Sequence, residues 1–148
     1  MNIFQTIIVV LYGLFSLSGF LLGLKHCVKK KNPYGLTHRY NLIGSFVWVD
    51  AVVFGLFWTS VSMVVLAMQN FMVFLLFLSL FWLTRSVGEM MYWFNQQFSS
   101  RNRNPAHTLW VSKIFPSDSS WVAMQIFWQC MAVVSGASTI LLIRVIFK

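Results

Sequence analysis

A chain of 148 residues that is 58% hydrophobic, 18% aromatic and only 9% charged falls far short of the roughly 25% charge of a soluble domain. Too few polar groups are present to cover a water-facing surface, so a lipid bilayer is the solvent that the composition fits. The formal net charge of +8 sets three acids, Asp50, Glu89 and Asp118, against basic residues that flank apolar runs. Orientation signals and anionic lipid explain that pattern, and without a recognised binding motif it gives no support to a nucleic-acid partner.

The first apolar run, Ile3 to Leu24, is long enough to cross a hydrocarbon core about 30 Å thick. No positive region precedes it and no small-residue cleavage site ends it, so it reads as an anchored helix and not as a cleavable signal. Lys25, Lys29, Lys30 and Lys31 follow. They predict a cytoplasmic C-terminal end for the helix and anionic lipid as a partner of these lysines. Ser16, Gly19 and Gly23 recur at helical spacing, and the Gly19–Gly23 pair forms a GxxxG face that admits another helix.

Residues 25–41 form a basic loop with five Lys/Arg, two histidines and a turn at Asn32-Pro33-Tyr34-Gly35. Asn41 is placed to cap a second span over about 42–68, with Asp50 some eight residues inside it. Only Gln69-Asn70 separates this span from a third, about 71–94, which predicts an antiparallel helical hairpin. Residues 95–120 make a second polar loop. Within it Pro105 opens either a short interfacial helix to Phe115, displaying Leu109, Trp110 and Ile114, or an irregular loop. Ser117 to Ser120 supply candidate N-caps for a fourth span, about 121–147, with Ala132, Ser135 and Gly136 in its middle.

The two long loops hold five and three Lys/Arg, whereas the opposite side has Arg144 and Lys148. By the positive-inside rule both loops are cytoplasmic. The expected fold is therefore all-α: one polytopic domain over residues 1–148, with four transmembrane helices in an antiparallel bundle, N-out and C-out.

Charged residues inside apolar runs face a partner, a cavity or a substrate. In the expected hairpin, residues whose numbers sum to about 139 share a depth, as Asp50 and Glu89 do. Arg85 then lies about 6 Å deeper than Asp50, at 1.5 Å per residue. Arg85, Glu89, Tyr92 and Gln96 fall on one helical face, and Gln125 and Gln129 enter at a similar level. The sequence thus predicts a polar layer of Asp50, Arg85, Glu89, Tyr92, Gln125 and Gln129 in the cytoplasmic third of the membrane. Such a layer serves as interhelical glue, as a proton-binding site in which one of two nearby carboxyl groups stays protonated, or as an acid–base pair.

His26, His38 and His107 lie in loops and match no metal-ligand spacing, so neither a metal nor a cofactor is expected. Cys27 and Cys130 match no redox spacing and are not expected to pair. Trp48, Trp93, Trp110 and Trp121 mark the cytoplasmic interface, and Trp58 and Trp82 lie deeper. No motif is specific to a family. The expected function is that of a small, non-enzymatic integral membrane protein acting through helix–helix contacts, as a homo-oligomer or as a subunit of a membrane complex. Gly19 and Gly23, and Ala132 and Gly136, are its expected packing faces. The alternatives are a proton- or ion-coupled transporter or channel using Asp50, Arg85 and Glu89, and a lipid-modifying enzyme. The expected location is a bacterial cytoplasmic membrane, with the endoplasmic reticulum as the alternative.

Overall fold

In apolar surroundings a backbone satisfies its amides within its own helix, and each of the four apolar runs is helical. The computed structural model describes residues 1–99 and 104–148, except for the side chain of His38. Arg101 and Arg103, two of the cations counted in the second loop, lie outside the described residues. The long helices are α1 (Ile3–Leu24), α2 (Trp48–Met68), α3 (Phe71–Phe98) and α4 (Ser119–Ile146). All four are long and apolar enough to cross a membrane. The chain divides into two compact units, Met1–Phe77 and Leu78–Lys148, with residues 71–77 of α3 in the first and the rest of that helix in the second.

In the first unit α1 begins with a capping box. The Gln5 N–H donates to Asn2 Oδ1 at 2.8 Å, and the Asn2 N–H donates to Gln5 Oε1 at 3.0 Å. Val9, Gly13, Ser16, Gly19 and Gly23 are buried along one face of α1; Ala51, Gly55, Trp58, Thr59, Val61, Ser62 and Val65 are the buried residues of α2. The helices run antiparallel, Gly13 lying against Ser62 and Gly23 against Val52. Small residues let the two backbones approach without side chains between them. Gly19 meets Tyr40 and Ile43, from the loop that follows α1. The Gly19–Gly23 face expected to receive a partner is thus filled by this chain's own residues.

The start of α2 departs from the sequence reading. The helix begins at Trp48, not near Leu42, and residues His38–Ile43 form a separate 3-10 turn ended by Gly44 at φ 78°. Left-handed backbone at this point suits glycine. The exposed amides at the start of α2 are satisfied by the preceding loop: Trp48 N–H donates to Gly35 O (3.1 Å) and Val49 N–H to Pro33 O (2.9 Å). Leu36 pairs with Val47 in an antiparallel bridge, and the Thr37 hydroxyl bonds to Ser45 O at 3.0 Å. The loop therefore caps α2, and Asn41 does not. At the other end of this unit the Met1 ammonium donates to Gln69 O at 2.9 Å, which ties the start of α1 to the turn between α2 and α3.

In the second unit α3 and α4 are antiparallel. The Thr139 hydroxyl donates to Ser79 Oγ at 3.0 Å, Gly136 faces Leu83, and Gln97 bonds Gln125 at the other end. Helix α3 continues to Phe98, past the expected end near residue 94, with Gln96 buried. The segment opened by Pro105 is two short 3-10 turns, Ala106–Thr108 and Trp110–Lys113, and not one interfacial helix. Ala106 and Val111 are its buried residues. Asp118 occupies the N-cap position of α4 without a side-chain bond to the helix. The Ser119 and Ser120 hydroxyls turn back instead, donating to the Pro116 and Phe115 carbonyls.

Candidate functional site

The six residues of the expected polar layer divide between the units: Asp50 belongs to the first, and Arg85, Glu89, Tyr92, Gln125 and Gln129 to the second. With α2 beginning at Trp48, Asp50 stands in its first turn. Its Oδ2 accepts the Phe46 N–H at 3.2 Å. A carboxylate there also meets the positive end of the helix dipole. Asp50 therefore serves as a helix-start residue, whatever else it does.

On α3, Arg85 Nη2 and Glu89 Oε1 are 2.9 Å apart, with 20% and 15% of their side chains exposed. The spacing of four residues places them one helical turn apart on the same face. Tyr92, one turn further, accepts a hydrogen bond from Asn104 Nδ2 at 2.5 Å, and Asn104 O in turn accepts the Trp121 indole N–H at 3.0 Å. This chain of bonds fastens the second loop to α3 and α4. Asn104 was not singled out by the sequence, because a loop asparagine carries no periodic signal.

Gln125 and Gln129 line a groove of about 380 Å3 together with Met90, Met91, Phe94 and Asn95. Gln97 Nε2 donates to Gln125 Oε1 at 2.7 Å. Gln129 and Asn95 are exposed, and their side chains make no hydrogen bond among the described residues. The groove thus presents two open amides beside methionine, phenylalanine and the bonded Gln125.

A second cleft, of about 520 Å3, lies in the first unit beyond the end of α1. Its walls come from Leu22, Lys25, His26, Lys30, Leu36, Thr37, Arg39 and Trp48. The His26 ring stacks on the Trp48 indole with centroids 3.7 Å apart and planes 18° from parallel. Lys30 Nζ lies 3.2 Å from His26 Nε2. An ammonium has no lone pair to offer, so in this contact Nε2 is the acceptor and Nδ1 carries the ring proton. Nδ1 is shielded from solvent and has no hydrogen-bond partner. The α1 helix widens here into a π turn, Lys25–Lys29. The lysine run was legible as a charge cluster, but the meeting of His26 and Trp48 depends on how α1 and α2 cross.

Among the described residues no three His, Cys, Asp or Glu side chains converge as a metal site. Cys27 and Cys130 are free thiols. No protein-family model matches the chain, and neither does any curated protein or solved structure.

Proposed function

We propose that this is an integral membrane protein whose four long helices cross the bilayer, and that it works through helix–helix contacts as a homo-oligomer or as a subunit of a membrane complex. Both basic loops face the cytoplasm and both termini face outward. The eight Lys/Arg of the two loops support that orientation by the positive-inside rule. The bond from the Met1 ammonium to Gln69 O agrees with it, since it groups the N-terminus with the turn after α2.

The observation that carries the contact reading is the pair of open amides, Gln129 and Asn95, in the groove beside Met90, Met91 and Phe94. At membrane depth an amide without a partner is costly, and a polar group on an adjacent helix satisfies it at a gain of around 1 kcal/mol per contact. The Arg85–Glu89 pair supports the same reading, because each charge already has its counter-charge at 2.9 Å. A pair that is mostly buried and already carries both charges is better suited to a structural role than to loading and releasing a proton.

The test is native mass spectrometry and in-membrane crosslinking of the wild-type chain and Gln129→Leu. A dimer, a higher oligomer or a stable heterocomplex that weakens in Gln129→Leu supports the proposal. A wild-type chain that is a monodisperse monomer under both conditions overturns it.

A further inference from the structure

We infer that the cleft beyond α1 is a binding site for a phosphate group, supplied by an anionic lipid at the cytoplasmic surface. The inference rests on the membrane reading above for the position of the cleft, and on the following geometry for its chemistry.

Three cationic side chains, Lys25, Lys30 and Arg39, line one cleft of about 520 Å3, a size within the roughly 300–1,000 Å3 of small-molecule sites. No carboxylate is among the lining residues. Converging like charges repel one another unless an anion joins them. A phosphate presents several acceptor oxygens to such a cluster, one of them suited to the planar fork of a guanidinium.

The cleft is also amphipathic. Leu22, Leu36 and the Trp48 indole supply apolar wall beside the cations, and Trp48 is held in place by the stacked His26 ring. A free phosphate ion has no use for that wall, whereas the glycerol and upper acyl carbons of a phospholipid do. Basic pockets at the ends of membrane helices bind lipid headgroups in this manner. The lysines fall into two classes by position. All four are exposed, but Lys25 and Lys30 line the cleft, while Lys29 and Lys31 do not. A specific site and a diffuse surface attraction therefore make different predictions.

The test uses the full chain in phosphatidylcholine nanodiscs containing a minor fraction of phosphatidylglycerol, with the anionic lipid retained by the protein counted by native mass spectrometry. Two doubly substituted proteins of equal net charge are compared: Lys25→Gln with Arg39→Gln in the cleft, and Lys29→Gln with Lys31→Gln outside it. The expected result is a fall of roughly thirtyfold in affinity for phosphatidylglycerol in the cleft variant, given about 1 kcal/mol for each of the two cations removed. The outer variant should change by about twofold or less on the same scale. Equal losses in the two variants overturn the inference, as does an unchanged cleft variant. Inorganic phosphate at millimolar concentration is the competitor. Failure to displace the lipid supports the lipid source, and displacement overturns it in favour of a free phosphate. A wild-type chain that does not enter nanodiscs at all would overturn the membrane reading itself, an outcome distinct from the others.

Discussion

Gly55 on α2 lies directly against Phe20 on α1: a Cβ at Gly55 would sit 2.6 Å from the Phe20 nitrogen and 2.7 Å from the Ser16 carbonyl oxygen. Both obstacles are backbone atoms, so no change of rotamer relieves the clash. The two helices must move apart, and the contact between their small faces is lost. Gly55→Val should therefore destabilise the first unit by at least the 1–3 kcal/mol or so typical of overpacked cores. Gly88→Ala is the contrast, since nothing lies within 4 Å of the added Cβ. Alanine is favoured over glycine in a helix interior by roughly 0.5–1 kcal/mol. Thermal unfolding in detergent, followed by circular dichroism, should show a lower midpoint for the first variant and an equal or higher one for the second. A tolerated Gly55→Val would rule out the close α1–α2 approach.

Arg85 and Glu89 make a prediction about coupling. Removing one partner from a buried pair strands the other charge, at about 3–5 kcal/mol, whereas replacing both with apolar groups is often close to neutral. The residual exposure of this pair, 20% and 15%, lowers the expected single-variant cost to about 1–3 kcal/mol. Arg85→Met and Glu89→Leu should each lower the unfolding midpoint, and the double variant should recover most of the loss. Additive losses would mean that the two side chains do not act as a pair.

Asp50 separates a capping role from a proton-carrying one. Its carboxylate accepts the Phe46 N–H at 3.2 Å at the start of α2. Asparagine keeps an acceptor oxygen and loses the charge opposite the helix dipole, about 0.3–1 kcal/mol. Alanine loses the acceptor as well, about 0.5–2 kcal/mol for a helix start. Stability should fall in the order wild type, Asp50→Asn, Asp50→Ala. An asparagine variant as unstable as the alanine one would show that the charge, and not the hydrogen bond, is what the site needs.

These residues also show where the fold was legible. The bounds of α1 follow from the apolar run alone, because its edges coincide with chemistry that hydropathy detects: the Asn2–Gln5 capping box at one end and lysines at the other. The start of α2 was hidden. Leu42, Ile43 and Phe46 are as apolar as the helix itself, and what excludes them is tertiary. The Pro33 and Gly35 carbonyls take the first amides of α2, and Thr37 holds the returning chain through Ser45 and Phe46. The end of α3 was hidden for the opposite reason. Asn95, Gln96 and Gln97 look like loop, but Gln96 is buried and Gln97 has a partner in Gln125. Of the site, Arg85 and Glu89 were legible because their pairing is local to one helix. The His26–Trp48 stack joins residues on different elements, and no periodic pattern encodes that.

The two native cysteines test the orientation without any added residue. Cys27 is half-buried in the basic segment that follows α1, and Cys130 is exposed on the apolar helix α4. A maleimide reacts with the thiolate, which forms in water and not in hydrocarbon. With the basic loops in the cytoplasm, a membrane-impermeant maleimide should leave both thiols unmodified in intact cells. Permeabilising the membrane should then expose Cys27 alone, and Cys130 should react only after the protein is unfolded in denaturant. Parallel labelling of Cys27→Ser and Cys130→Ser assigns each signal to its residue. Labelling of Cys27 in intact cells would invert the topology. Rapid labelling of Cys130 in the folded protein within intact membranes would mean that this part of α4 lies in water and not in lipid.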